Sequence, residues 1–182
     1  FTGKFDGNNH TISNIRIESG NPIFYQLTGG TITKSIKGTG NINIVGDVVN
    51  NAKIYQDISL AIHAKPEVSD FEYFASQTLS EQLKKEGFEI ELPAAGHRTG
   101  FAATYKSNKP GPTVVFLAEY DALAGLGHGC GHNVFGATST LAGAALKSVV
   151  DQIGGEVRVY GTPGEEGGQN GSAKGSFVKK GY

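Results

Sequence analysis

The chain has one cysteine, no methionine, no tryptophan and six prolines among its 182 residues. A single cysteine excludes an internal disulfide and leaves the redox compartment open. The chain begins at Phe1 and contains no methionine, so residue 1 is not expected to be a translation start, and a leader upstream stays an open question. Neither sign of charge is in excess: 16 Lys and Arg stand against 17 Asp and Glu, a net charge of −1. That balance supplies no basic field, which excludes nucleic acid and an anionic membrane surface as expected partners. No apolar run approaches the ~20 residues needed to span a bilayer, and "FTGKFDGNNH" is neither a basic n-region nor an apolar h-region. With 38% hydrophobic and 18% charged residues, the chain can bury one sizeable core with a small appendage.

The character of the sequence changes near residue 47. Residues 1–46 are rich in Gly, Asn, Thr and Ile, with alternating runs such as Thr11-Ile12-Ser13-Asn14-Ile15-Arg16-Ile17. Period-two apolarity bounded by Gly and Asn predicts short β-strands. "FTGKFDGNNHTISNIRI" resembles the GLUG repeat of bacterial surface proteins. One unit and part of a second cannot bury an apolar face by themselves, so this segment is expected to need a partner surface. His10 is expected in a solvated turn.

Residues 47–182 alternate between helix and strand. "VVNNAKIYQDISLAIHAKPE" places Ile54, Ile58, Ala61 and Ile62 on one helical face and stops before Pro66. Ser69 and Glu72 stand in capping-box spacing ahead of an amphipathic helix carrying Phe71, Phe74, Ala75, Leu79 and Leu83, which Gly87 ends. "FEIEL", "GFAATYK" and "EVRVYGTP" read as strands, and "TVVFLA" as a central strand covered on both faces. The small residues of "FGATSTLAGAALKSVV" suit a helix pressed closely on a sheet. The expected fold is therefore α/β, a largely parallel sheet flanked by helices, with a short β-rich segment (1–46) before it.

In such sheets ligands gather at the carboxyl ends of strands. "TVVFLA" runs into Glu119 and Asp121, and "EVRVYGTPG" into Glu165 and Glu166. Between them "LGHGCGHN" sets Cys130 and His132 two apart on a glycine-rich loop. Thiolate, imidazole and carboxylate are the usual protein ligands of zinc. Of the paired glutamates, one can hold metal while the other takes a proton from metal-held water. Asp121 can orient a liganding ring or bridge two metals. His128 reads equally as a supporting residue or a plain loop residue, and His63 and His97 as structural or exposed.

"FLAEYDALAGLGHGCGHN" followed by "GTPGEEGG" resembles the peptidase M-twenty (M20) family of dinuclear metal amidohydrolases, in particular the branch of the aminobenzoyl-glutamate hydrolase B subunit and the β-alanyl-lysine dipeptidases. The likeness runs over about residues 50–181. It implies Cys130, His132 and Glu166 as metal ligands, Glu165 as the general base and Asp121 as the supporting aspartate. Glu119 stands where other branches place a liganding histidine, and Asn133 where many relatives carry aspartate. The implied cofactor is Zn2+, one or two ions, with Mn2+ or Co2+ as alternatives. The implied substrates are dipeptides, N-acyl amino acids or aminobenzoyl-glutamate, in a cytoplasmic enzyme whose full-length relatives are homodimers. In the family the chain runs on to further liganding histidines, and none follows Glu166 here, so little or no activity is expected of these 182 residues alone. The competing expectation is a surface-exposed β-repeat binding module carrying a degenerate hydrolase segment.

Overall fold

The computed structural model describes residues 44–182. The β-strand and repeat readings of residues 1–43, and His10 with them, lie outside the described residues. The elements are α1 (Ile44–Ala64), α2 (Tyr73–Lys85), β1 (Glu89–Glu91), β2 (Phe101–Lys106), β3 (Thr113–Ala118), α3 (His132–Ile153), β4 (Glu156–Gly161) and α4 (Ala173–Lys180). No described helix is long and apolar enough to cross a membrane.

The four strands form one sheet in the order β1-β2-β4-β3. Side chains alternate across a strand, so Phe101, Ala103, Val157 and Val159 line one face, where Ile62 of α1, Leu79 and Leu83 of α2 and Val150 of α3 cover them. Ala102 and Tyr160 point to the opposite face and pack with Ala173 and Phe177 of α4. Helices thus flank the sheet on both sides, as the sequence predicts.

The expectation of a largely parallel sheet is corrected. Only β3 and β4 pair in parallel, whereas β1 with β2 and β2 with β4 are antiparallel. A parallel pair needs a crossover, and α3 is the one described helix that joins two strands of the sheet. The first two helices precede β1 and α4 follows β4, so their alternation with strands carries no parallel pairing. "TVVFLA" is likewise not central. Among the described residues β3 is an edge strand, and Val115 and Leu117 are 44% and 39% exposed.

Two helical details also differ. The buried side of α1 is carried by Tyr55 and Ile62 with Ile58 packed beside them, while Ile54 is exposed, a rotation of the expected stripe by about one position. Phe71 stays outside α2 and exposed, whereas Ala75, Leu79 and Leu83 are buried as expected. The close approach of α3 is real: a Cβ on Gly136 would lie 2.7 Å from the carbonyl oxygen of Glu119. This contact brings the first turn of α3 against the exit of β3, and with it His132.

Candidate metal centre

The exit of β3 is fixed by Tyr120, which is fully buried, stacks on Phe101 with ring centroids 6.0 Å apart and donates its hydroxyl to the carbonyl of Thr99 at 2.6 Å. Glu119 and Asp121 sit on either side of this anchor. The loop that follows doubles back through Leu123 N–H to the carbonyl of Gly127 and Gly131 N–H to that of His128. Gly131 then adopts a left-handed φ of 86° and opens α3, a conformation that costs glycine little. The turn leaves Cys130 exposed and His132 buried.

His132 is held from one side and open on the other. Its Nδ1 lies 2.9 Å from Asp121 Oδ1 and 3.1 Å from the Asp121 carbonyl. Both partners are acceptors and take a proton carried on Nδ1, which would leave the Nε2 lone pair to a metal, the arrangement in which a carboxylate orients a liganding imidazole. Around Nε2 stand Glu119 Oε2 at 3.2 Å, Glu165 Oε2 at 3.7 Å and Glu166 Oε1 at 3.9 Å. Ligand atoms of Cys130, His132 and Glu166 lie within 4.8 Å of one another, and so do those of Glu119, His132 and Glu165. His132 belongs to both groups. The five residues expected from sequence are therefore brought together: Cys130, His132 and Glu166 in one group, Glu165 in the other, and Asp121 behind the shared ring.

This donor set fits a divalent cation. Three carboxylates converge on one imidazole nitrogen, and the ammonium of Lys174 is bonded to Glu119 and lies 3.9 Å from Glu165 Oε1. Burial and a hydrogen bond to Glu166 push the Cys130 thiol above its ordinary value. Soft sulfur, neutral nitrogen and carboxylate oxygen are what zinc-type ions take.

Lys174 is a residue that sequence reasoning misses, because a lysine in the first turn of a short helix carries no signal of its own. It competes with a metal for the same carboxylates. Lys174→Gln is expected to tighten zinc binding by about fivefold, since a partly exposed ion pair is worth about 1 kcal/mol net. Titration calorimetry of the two chains checks this, and weaker binding in the variant would contradict it.

Ser69 and Glu72 form no capping box. Glu67 caps α2 instead, accepting from Phe74 N–H and Ala75 N–H, each at 3.0 Å. Ser69 donates to Asp121 Oδ2 at 2.8 Å. Glu72, fully buried, accepts from Thr99 Oγ1 at 2.8 Å and Gly164 N–H at 2.9 Å. Burial raises its carboxyl above the ordinary value. The folded chain then keeps a proton that the unfolded chain has released, so stability falls as pH rises from the ordinary carboxylate value through the raised one. Glu72→Gln is therefore expected to melt progressively higher than the parent chain as pH goes from 4 to 8. A difference that stays constant over that range would show that Glu72 does not carry this cost.

His128 belongs to neither ligand group and stacks on His63 at 6.1 Å. His97 is buried with Nε2 2.9 Å from Ser176 Oγ. Asn133 ties the start of α3 to α1 through Ser59 Oγ at 3.1 Å.

An α/β sheet, strand-end carboxylates and a Cys/His loop together make a candidate metal centre. The p-aminobenzoyl-glutamate hydrolase B subunit of Escherichia coli K12 is 36% identical over 146 residues, 70% of this chain and 29% of that protein. Thermostable carboxypeptidase 2 of Saccharolobus solfataricus is 33% identical over 151 residues, 73% of this chain and 38% of that protein. A dinuclear metal binding peptidase of the M20 family from Bacillus subtilis superposes with a TM-score of 0.62 at 23% identity, over 73% of this chain and 40% of that one, which supports the fold. No family model matches the chain. Over this stretch the chain is similar in sequence to these hydrolases and peptidases and shares the fold of the M20 peptidase, and it spans about a third of the length of the curated relatives it matches. The β-repeat and surface-module readings find no support in these matches.

Proposed function

We propose that the chain carries part of the active centre of a metal-dependent hydrolase acting on amide or peptide bonds in small substrates: dipeptides, N-acyl amino acids or aminobenzoyl-glutamate-like molecules. One observation carries this reading: His132 is fixed at Nδ1 by Asp121 while its Nε2 faces Glu119, Glu165 and Glu166 beside Cys130. Cys130, His132 and Glu166 would hold the first metal, with Glu119 available to a second. A bound Zn2+, or Mn2+ or Co2+ in its place, polarises the substrate carbonyl and acidifies a water.

The chain's own residues do the rest. Glu165, the more exposed of the paired glutamates, takes the proton of the attacking water and passes it to the leaving nitrogen. Asp121 keeps His132 in one tautomer and orientation. Lys174 balances the carboxylates when a cation is lacking. A cytoplasmic location and a homodimeric whole protein complete this reading, both supported by the family resemblance.

Metal content separates the two glutamates. Zinc and manganese are measured by elemental analysis in the purified chain and in Cys130→Ser, Glu166→Gln and Glu165→Gln. Near-stoichiometric metal that is lost in the first two variants and kept in the third is expected. Any release of aminobenzoate from aminobenzoyl-glutamate is expected to be weak, sensitive to chelation and abolished in Glu165→Gln. Metal held equally by all four chains would refute the assignment.

A further inference from the structure

The loop that bears the glutamate pair has few side chains of its own to hold it, with Gly164, Gly167, Gly168 and Gly171 around Glu165 and Glu166. Its backbone is nevertheless tied down at three points, each time by a carboxylate from elsewhere in the chain. Gly164 N–H donates to Glu72 Oε1 at 2.9 Å, Glu166 N–H to Asp121 Oδ2 at 3.0 Å, and Asn170 N–H to Asp70 Oδ2 at 3.2 Å. The Asn170 side chain adds a second bond to Asp70, from Nδ2 to Oδ1 at 3.0 Å. Two of these ties flank Glu165 directly. The loop also lies flat on the segment that supplies them: a Cβ on Gly168 would fall 2.3 Å from Asp70 Oδ2 and 3.0 Å from Ser69 Cβ.

Residues 69–72 supply two of the three carboxylates and reach the third through Ser69, which donates to Asp121. Glu72 is the innermost. Both of its oxygens are engaged, one by Gly164 and one by Thr99, whose carbonyl in turn accepts from Tyr120. One line of hydrogen bonds thus runs from the exit of β3, through Tyr120, Thr99 and Glu72, to the loop after β4. Ionised acceptors make the stronger class of hydrogen bond to N–H. A fully buried carboxylate is costly to keep, and here one oxygen is given to the Gly164 N–H and the other to the Thr99 hydroxyl.

From this geometry we infer that the segment Ser69–Glu72, with Glu72 at its centre, positions Glu165 and Glu166 by clamping the backbone of their loop. Glu72 is a positioning residue: it meets the loop backbone and Thr99, and it acts on the centre through the carboxylates beyond. The inference rests on the reading that Glu165 and Glu166 serve a metal centre. Supporting groups of this kind change metal affinity by about 10–100-fold when removed.

The test compares the parent chain with Glu72→Ala, Glu72→Gln and Cys130→Ser. Cobalt(II) binding is followed by visible absorption, and amide hydrogen exchange is measured on the metal-free chains. Glu72→Gln keeps an oxygen for Gly164 N–H and an amide N–H that the Thr99 hydroxyl can accept, so cobalt affinity within about threefold of the parent is expected. Glu72→Ala is expected to lose about 10–100-fold. Exchange at Gly164 and Glu166 should quicken together in Glu72→Ala, relative to Val157 and Val159 in β4, because the loop is released as a unit.

Parent-like cobalt affinity in Glu72→Ala, with Cys130→Ser impaired, would overturn the clamp, as would faster exchange confined to Gly164. If the parent and Cys130→Ser bind cobalt alike, the metal reading fails, and exchange at Gly164 and Glu166 alone decides whether the clamp exists. If Glu72→Ala does not fold, Asp70→Ala opens the other end, and exchange at Asn170 and Glu166 answers the same question.

Discussion

His132→Ala should keep its fold and lose at least about a hundredfold in zinc affinity, more than the 10–100-fold that follows loss of an outer partner. The imidazole is common to both ligand groups, so its removal strips a donor from each at once. The change also leaves three carboxylates facing one another, two of them, Glu119 and Glu165, paired with Lys174. Folding should suffer less, because what holds the start of α3 is the close approach of Gly136 to Glu119 and the bond from Asn133 to Ser59. Far-ultraviolet circular dichroism and zinc titration, run on the same samples, give the two readouts. Undiminished zinc binding in a folded His132→Ala chain would place the metal elsewhere or nowhere.

Asp121→Ala is the change expected to cost most in stability, about 2–4 kcal/mol. Asp121 is fully buried and accepts from three groups: Ser69 Oγ at 2.8 Å, Glu166 N–H at 3.0 Å and His132 Nδ1 at 2.9 Å. Each buried donor left without a partner costs about 1–3 kcal/mol, offset in part by the relief of desolvating a carboxylate and by water reaching the outer two. Asp121→Asn separates stability from site geometry. One amide oxygen remains as acceptor, while the NH2 group confronts a donor. Intermediate stability is expected, with zinc affinity down about 10-fold as the His132 ring loses the carboxylate and keeps only the Asp121 carbonyl. Urea denaturation beside zinc titration of the three chains would decide, and an Asp121→Asn chain with parent affinity would show that Asp121 does not orient His132.

The parts of this arrangement legible in the sequence were those encoded over short spans. "HGCGH" and the glutamate pair at a strand end declare donor types that have little other reason to be adjacent, and the structure brings Cys130, His132, Glu165, Glu166 and Asp121 together. The buried stripe of Ala75, Leu79 and Leu83 followed from helical period. Pairing between strands did not follow, because an apolar hexamer such as "TVVFLA" reads the same at the centre of a sheet and at its edge. Orientation failed for the same reason: helix–strand alternation predicts a parallel sheet only where a helix links two strands of it, and α3 alone does so among the described residues. Ser69 and Glu72 illustrate a third limit. Their spacing satisfies a local rule, yet partners about 30 to 90 residues away, Thr99, Asp121 and Gly164, claim their side chains. Glu67, two residues before the expected cap Ser69, takes the helix end in their place.

The single parallel pair has a further consequence, for the order in which the molecule is made. Glu119 and Cys130 come before the crossover helix, His132 opens it, and Glu165 and Glu166 follow it, so no short peptide can present the whole donor set. The ligands meet only once α3 has packed and β4 has zipped alongside β3. A cation selective for that set would ignore the unfolded chain, raise the melting temperature in proportion to the logarithm of its concentration, and acquire its thiolate absorption only at the closing topological step. Cobalt would then serve as a stopwatch for folding as well as a probe of chemistry.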